Sequence, residues 1–192
     1  MPKTPSARAE LQALQAALAA EHAAVYGYGV SGAMLTGADN AAARGDWESH
    51  MTARDTLQAM IAVLGAAPVA ASAAYQLPFT VHDARSARRL AAALEDGVTR
   101  AYLGLVAVTN QTLRTFGALA MQEPAKRAAA WRGSTVAFPG MPAAALSSGL
   151  VSSGLVGPSP VGPSPVSSGP VSSGPVSPGP VSPDPAGAQA RA

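Results

Sequence analysis

Apolar residues recur along this chain at alternating intervals of three and four, and ionisable residues occupy positions in the same rows. The first row runs Leu11, Leu14, Leu18, Glu21, Val25, Tyr28, Gly32 and Leu35; the second runs Ala43, Trp47, His50, Arg54, Leu57, Ile61 and Leu64. This spacing puts every member on one face of an α-helix. A helix packed through that face therefore carries Glu21 or His50 into the interior. A third row, from Ala87 through Ala91, Leu94, Val98, Ala101 and Leu105 to Val108, is flanked by Glu95 and Tyr102. A fourth helix starts near Asn110 to Thr112 and turns Leu113, Phe116, Ala120, Ala128 and Trp131 inward. Buried carboxylates and imidazoles are costly unless they are paired, hydrogen-bonded or bound to metal. Three of them converging from separate helices restricts the core more than any other feature of the chain.

The connections fix how such helices are joined. Gly37 followed by Asp39 reads as a helix stop and then an N-cap, and Gly65 ends the second helix. So short a turn between the first two helices makes them antiparallel neighbours. The next stretch, AAPVAASAAYQLPFTVHD, has no helical periodicity and contains Pro68 and Pro78. A loop of that length suits a long crossover that leaves helices two and three parallel. Asp83 can cap the third helix. Pro124 either kinks the fourth helix or opens a second segment, because it lacks a backbone donor. Gly133 ends this region, and STVAFPGMP is expected to form a strap laying Phe138 on the bundle. The expected fold is an all-α four-helix bundle.

The composition divides near residue 142. Of 13 Lys+Arg and 11 Asp+Glu, only Arg191 and Asp184 lie beyond it. Residues 6–142 read as one helical domain. Residues 143–192 read as a disordered, low-complexity tail, with a five-residue Val/Ser/Gly/Pro repeat over 146–185 that cannot bury enough surface to offset its ordering entropy. The absence of cysteine excludes disulfides, thiolate metal sites and cysteine nucleophiles. A formal net charge of +2 gives no basic patch dense enough for nucleic acid; the Arg85, Arg88, Arg89 cluster reads as a solvated helix start. The longest uncharged helical run, Ala23 to Ala38, has 16 residues including four glycines, too short for a membrane span. No secretory signal is visible at the N-terminus, so a cytoplasmic location is expected.

Glu21, His50 and Glu95 match part of a known pattern. Ferritin-like di-iron bundles take one Glu from each of two helices and Glu-x-x-His from each of the other two. Here Glu21 suits the first helix and Glu95 the third. The second helix offers Trp47-x-x-His50, and the fourth offers Ala128-x-x-Trp131, 33 and 36 residues after Glu95. Three of six ligands are present and both bridging carboxylates are missing. The segments EHAAVYGYGVSG, HMTARDTL, YQLPFTVHD, LAAALEDGVTRAYL and AAAWRGSTVAFPG together resemble a family of bacterial ferritin-like domains of unknown function, over about residues 8–142. That resemblance implies the ferritin-like fold and implies no activity.

Charge counting then separates two functions. Four carboxylates and two neutral histidines balance two divalent cations, whereas this chain retains two carboxylates and places Arg54 one turn beyond His50. Glu21, Glu95, Arg54 and a protonated His50 sum to zero without metal, and a guanidinium pairs well with carboxylate. The first reading is a non-catalytic structural or interaction module with a degenerate, metal-free centre: a buried network of Glu21, His50, Arg54 and Glu95. The alternative is an iron- or manganese-dependent oxidoreductase or metal-binding protein using Glu21, His50 and Glu95, with further ligands drawn from His22, Asp55 or Asp96. Metal coordination requires the three side chains within about 4–5 Å of one another with Arg54 excluded. Gly27, Gly29, Gly32, Ala23 and Ala24 form small-residue faces that permit close helix approach within one chain or in a homodimer. No membrane or nucleic-acid partner is expected, and the sequence names no protein partner.

Overall fold

A computed structural model describes residues 4–141; the repeat segment lies outside the described residues. Among the described residues there are five helices and no strand: α1 Pro5–Ala33, α2 Gly37–Val63, α3 Ala84–Val106, α4 Gln111–Ala120 and α5 Gln122–Arg132. The chain is all-α. None of these helices is long and apolar enough to cross a membrane.

Local chemistry explains most of the boundaries. Thr4 caps α1, accepting from the Ala7 amide at 3.2 Å, and Pro5 takes a first-turn position where its missing donor costs nothing. The α1–α2 junction differs from expectation. Helix α1 stops at Ala33, and α2 starts at Gly37 after Thr36, so Asp39 lies inside the first turn and does not cap it. A carboxylate there still complements the positive end of the helix dipole. Asp83 and Ser86 form a reciprocal capping box at the start of α3, with the Ser86 amide donating to Asp83 Oδ1 at 2.7 Å. Asn110 caps α4 through the Leu113 amide at 3.2 Å. Pro124 opens a second segment: it is the third residue of α5, where a helix needs no intrahelical donor, and the break falls at Met121. Gly133, at φ +74°, closes α5 in the left-handed region.

Side-chain pairings give the helix directions. Glu21 meets His50 and Tyr28 meets Asp46, so residue numbers fall along α1 as they rise along α2. Ser31 meets Ala87, Tyr28 meets Glu95, Glu21 meets Tyr102 and Ser6 meets Thr109, so α1 and α3 are antiparallel as well. Residues of the α2–α3 connection lie against α1: Gln15 bonds Ala67 and Val69, His22 Nε2 lies 3.1 Å from the Val69 carbonyl, and Tyr75 packs on Tyr26.

The apolar core forms two clusters. One contains Leu14, Leu18, Leu57, Ile61, Val98, Leu105 and Leu113; the other contains Tyr28, Leu35, Ala43, Ala87 and Ala91, with Trp47 and Trp131 against it. Each large buried aliphatic side chain stabilises the fold by roughly 1.5–3 kcal/mol. Close approach is needed where α4 crosses α3: a Cβ on Gly117 would lie 2.7 Å from Leu105 Cβ and 3.0 Å from the Tyr102 carbonyl. Gly27 faces Leu94 within the chain, whereas Gly29 and Gly32 face open space. The strap also differs from expectation. Phe138 remains 55% exposed, and the contact with α3 is made by Gly140, whose carbonyl accepts from Arg100 Nε at 3.0 Å.

Candidate functional site: a buried carboxylate–imidazole centre

Glu21 on α1, His50 on α2 and Glu95 on α3 meet in the interior, each at most 1% exposed. His50 bridges the two carboxylates. Its Nδ1 lies 2.7 Å from Glu21 Oε2 and its Nε2 lies 3.1 Å from Glu95 Oε1. Ionised carboxylates only accept hydrogen bonds, so satisfying both contacts requires a hydrogen on each ring nitrogen, the imidazolium form. Burial alone would depress the His50 pKa; the hydrogen bonds and charges of Glu21 and Glu95 outweigh it and carry the group up to about 9.

Two tyrosines complete the first ring of contacts. Tyr102 donates to Glu21 Oε1 at 2.8 Å and Tyr28 donates to Glu95 Oε1 at 2.6 Å. Each tyrosine lies seven residues after a glutamate on its own helix, Glu21 to Tyr28 and Glu95 to Tyr102. Seven residues are two turns, which keeps both side chains on one face. Because α1 and α3 are antiparallel, each tyrosine reaches the other helix's glutamate. Burial and the neighbouring carboxylates push both phenols well above the ordinary tyrosine range, so both remain donors.

The counter-charge comes from α5. Arg127 Nε lies 2.7 Å from Glu95 Oε1 and 3.7 Å from Asp46 Oδ1. Asp46, half-buried on α2, also accepts from Trp131 Nε1 at 2.8 Å. Burial works against ionised Glu95, yet His50 and Arg127 hold its carboxyl below the usual glutamate range. Arg127 is raised by Glu95 and Asp46 despite its own desolvation. Among the described residues the buried Glu95 Oε2 has no hydrogen-bond partner, while Oε1 receives three donors.

The network expected from sequence needs one correction. Arg54 does not join Glu21, His50 and Glu95: its guanidinium turns toward solvent and pairs with Asp55 at 2.8 Å, the two side chains being 27% and 62% exposed. The row position is inward, but a long side chain can keep its stem on the protein and its charge in water. The alternative ligands are elsewhere too. His22 is buried against Val69, Asp55 holds Arg54, and Asp96 pairs with Arg132. Glu21, His50 and Glu95 thus converge with Arg54 outside, as coordination would require. The donors nevertheless fit a metal poorly as placed. Both ring nitrogens of His50 face carboxylates and a guanidinium sits on Glu95. Among the described residues no group of three His, Asp or Glu side chains is arranged to hold a metal ion.

Sequence reading missed Arg127 and Asp46 and did not assign Tyr28 and Tyr102 to the site. The signals were present: the repeated Glu-x6-Tyr spacing, Asp46 one turn before His50, and Arg127 one turn before Trp131.

A family match spans this whole constellation. The family described as "Domain of unknown function (DUF4439)" matches residues 13–143. The chain belongs to this family. The DUF4439 match holds Glu21, His50, Glu95 and Arg127 and ends where the repeat-bearing segment begins. A solved structure, that of a conserved hypothetical protein from Mycobacterium tuberculosis, is similar with a TM-score of 0.63 and 33% identity, covering 66% of this chain and 96% of that one. No curated protein matches the chain.

Proposed function

We propose that this DUF4439 domain is a ferritin-like four-helix bundle that serves as a non-catalytic structural or interaction module, its di-iron centre replaced by a metal-free ion-pair network. Helix directions support the architecture. Both α2 and α3 run antiparallel to α1, so they are parallel to each other and residues 64–83 act as the long crossover, with α4 and α5 together taking the place of a fourth helix. One observation carries the functional reading. Both nitrogens of His50 contact carboxylates, and Arg127 supplies a fixed positive charge 2.7 Å from Glu95, where a bundle of this type would hold a cation. Glu21, Glu95, His50 and Arg127 then sum to zero charge, with the half-buried Asp46 a further carboxylate 3.7 Å from Arg127.

Elemental mass spectrometry on untagged protein tests the proposal, comparing wild type with a Glu21→Ala, His50→Ala double variant. Substoichiometric iron and manganese in both agrees with it. The second reading, an iron- or manganese-dependent oxidoreductase or metal-binding protein, is favoured by the convergence of the three candidate ligands and by Glu95 Oε2, which has no hydrogen-bond partner among the described residues. Stoichiometric metal in wild type that disappears in the variant would overturn the first reading and assign a metal-binding centre, with oxygen chemistry the next assay.

A further inference from the structure

A second polar site lies apart from the buried centre. The N-terminal turns of α3 and the C-terminal turn of α5 border an open cleft of about 710 Å³. Its charged lining comprises Arg85, Arg88, Arg89 and Arg132 against Asp39 and Asp96, an excess of two cations (four minus two). That excess equals the formal net charge of the entire chain, +2. The arginine cluster that sequence reads as a solvated helix start is therefore gathered with a fourth arginine, from another helix, around one concavity.

Three of the four guanidinium groups are held in place. Arg88 pairs with Asp39 and Arg132 pairs with Asp96. Arg89 stacks over the Phe79 ring at 4.1 Å, a contact that fixes the group without using its N–H donors. Among the described residues Arg85 makes no ion pair, and the buried Arg132 Nη1 has no acceptor. Trp131 supplies an aromatic wall.

We infer that this cleft binds a small phosphate-bearing ligand carrying a diphosphate group, with Arg85 and Arg89 as its principal contacts. The volume lies in the range of small-molecule sites. Planar arginine forks match phosphate oxygens two at a time, and a dianion or stronger polyanion neutralises an excess of two cations. The diphosphate could be inorganic or part of a nucleotide, whose base would lie against Trp131.

Isothermal titration calorimetry of the full chain with inorganic pyrophosphate and with ADP decides the matter. At least one probe is expected to bind, with affinity falling as salt rises. The variants Arg85→Glu and Arg85→Ala, Arg89→Ala are expected to lose about tenfold or more, with circular dichroism melting as the check on folding. Arg85 is exposed, so the single variant keeps the test open if the double variant unfolds. Tighter binding of ADP identifies the nucleotide as the source, and equal or tighter binding of pyrophosphate identifies the inorganic ion. No heat from either probe at millimolar concentration, or unchanged binding by folded Arg85→Glu, overturns the inference.

Discussion

Arg127 and Arg54 show how far a residue's row position determines its role. Arg54 sits on the same face as His50 but its guanidinium reaches solvent, whereas Arg127, adjacent to the inward Ala128, turns its charge onto Glu95. Arg127→Met is expected to destabilise the fold by about 3–5 kcal/mol, because it leaves a buried carboxylate without its fixed counter-charge. Arg54→Met is expected to stay within about 0.5 kcal/mol, as at an ordinary surface site. Urea denaturation of the two variants checks both values; a larger loss at Arg54 would reverse the assignment. At this scale the sequence was legible for Glu21, His50 and Glu95, whose short side chains must follow their helical row. It was not legible for the arginine, whose long stem lets the charge leave the row.

Helices were readable wherever the backbone itself imposes the boundary. Asp83, Asn110, Gly133 and Pro124 each act through a local donor, acceptor or φ requirement, and each behaves as its residue type dictates. The start of α2 departs from expectation because either Thr36 or Asp39 suits an N-cap by residue type, and Thr36 takes the position without a side-chain capping bond. The exposure of Phe138 was missed for a related reason: an isolated apolar residue in a strap carries no periodicity to say which way it faces. Close packing of α4 on α3 gives a prediction at the scale of elements. Gly117→Ala puts a methyl group against Leu105 Cβ and the Tyr102 carbonyl, and backbone cannot yield as a flexible side chain can. A loss of about 1–3 kcal/mol is expected, read as a lowered denaturation midpoint. A neutral or stabilising effect would mean that α4 sits farther from α3 than described.

For the whole molecule, the buried centre links stability to pH. The folded-state pKa of His50 is raised from 6.5 to about 9, so its contribution is complete below 6.5 and is lost as pH rises through about 9. Glu95 is depressed below 4.5, so its contribution is present above that value and is lost as pH falls through the lower folded-state value. These two groups together place maximal stability between 4.5 and 6.5. His50→Gln is expected to flatten the alkaline limb of a stability–pH profile; an unchanged limb would assign it to other groups. The all-α class of the described residues was legible because four apolar rows at helical spacing leave few alternatives. The surroundings of the centre were not, since Glu21, His50 and Glu95 suit either a metal or an ion pair and Arg127 arrives from a distant part of the chain.

The protonation of His50 tests the metal-free network most directly. Nitrogen-15 NMR of histidine-labelled protein at neutral pH should show both ring nitrogens of His50 bearing hydrogen, with the signal moving to a neutral ring only as pH approaches about 9. A neutral tautomer at pH 7 would contradict the account, and a ring nitrogen shifted by coordination would in addition assign His50 as a metal ligand.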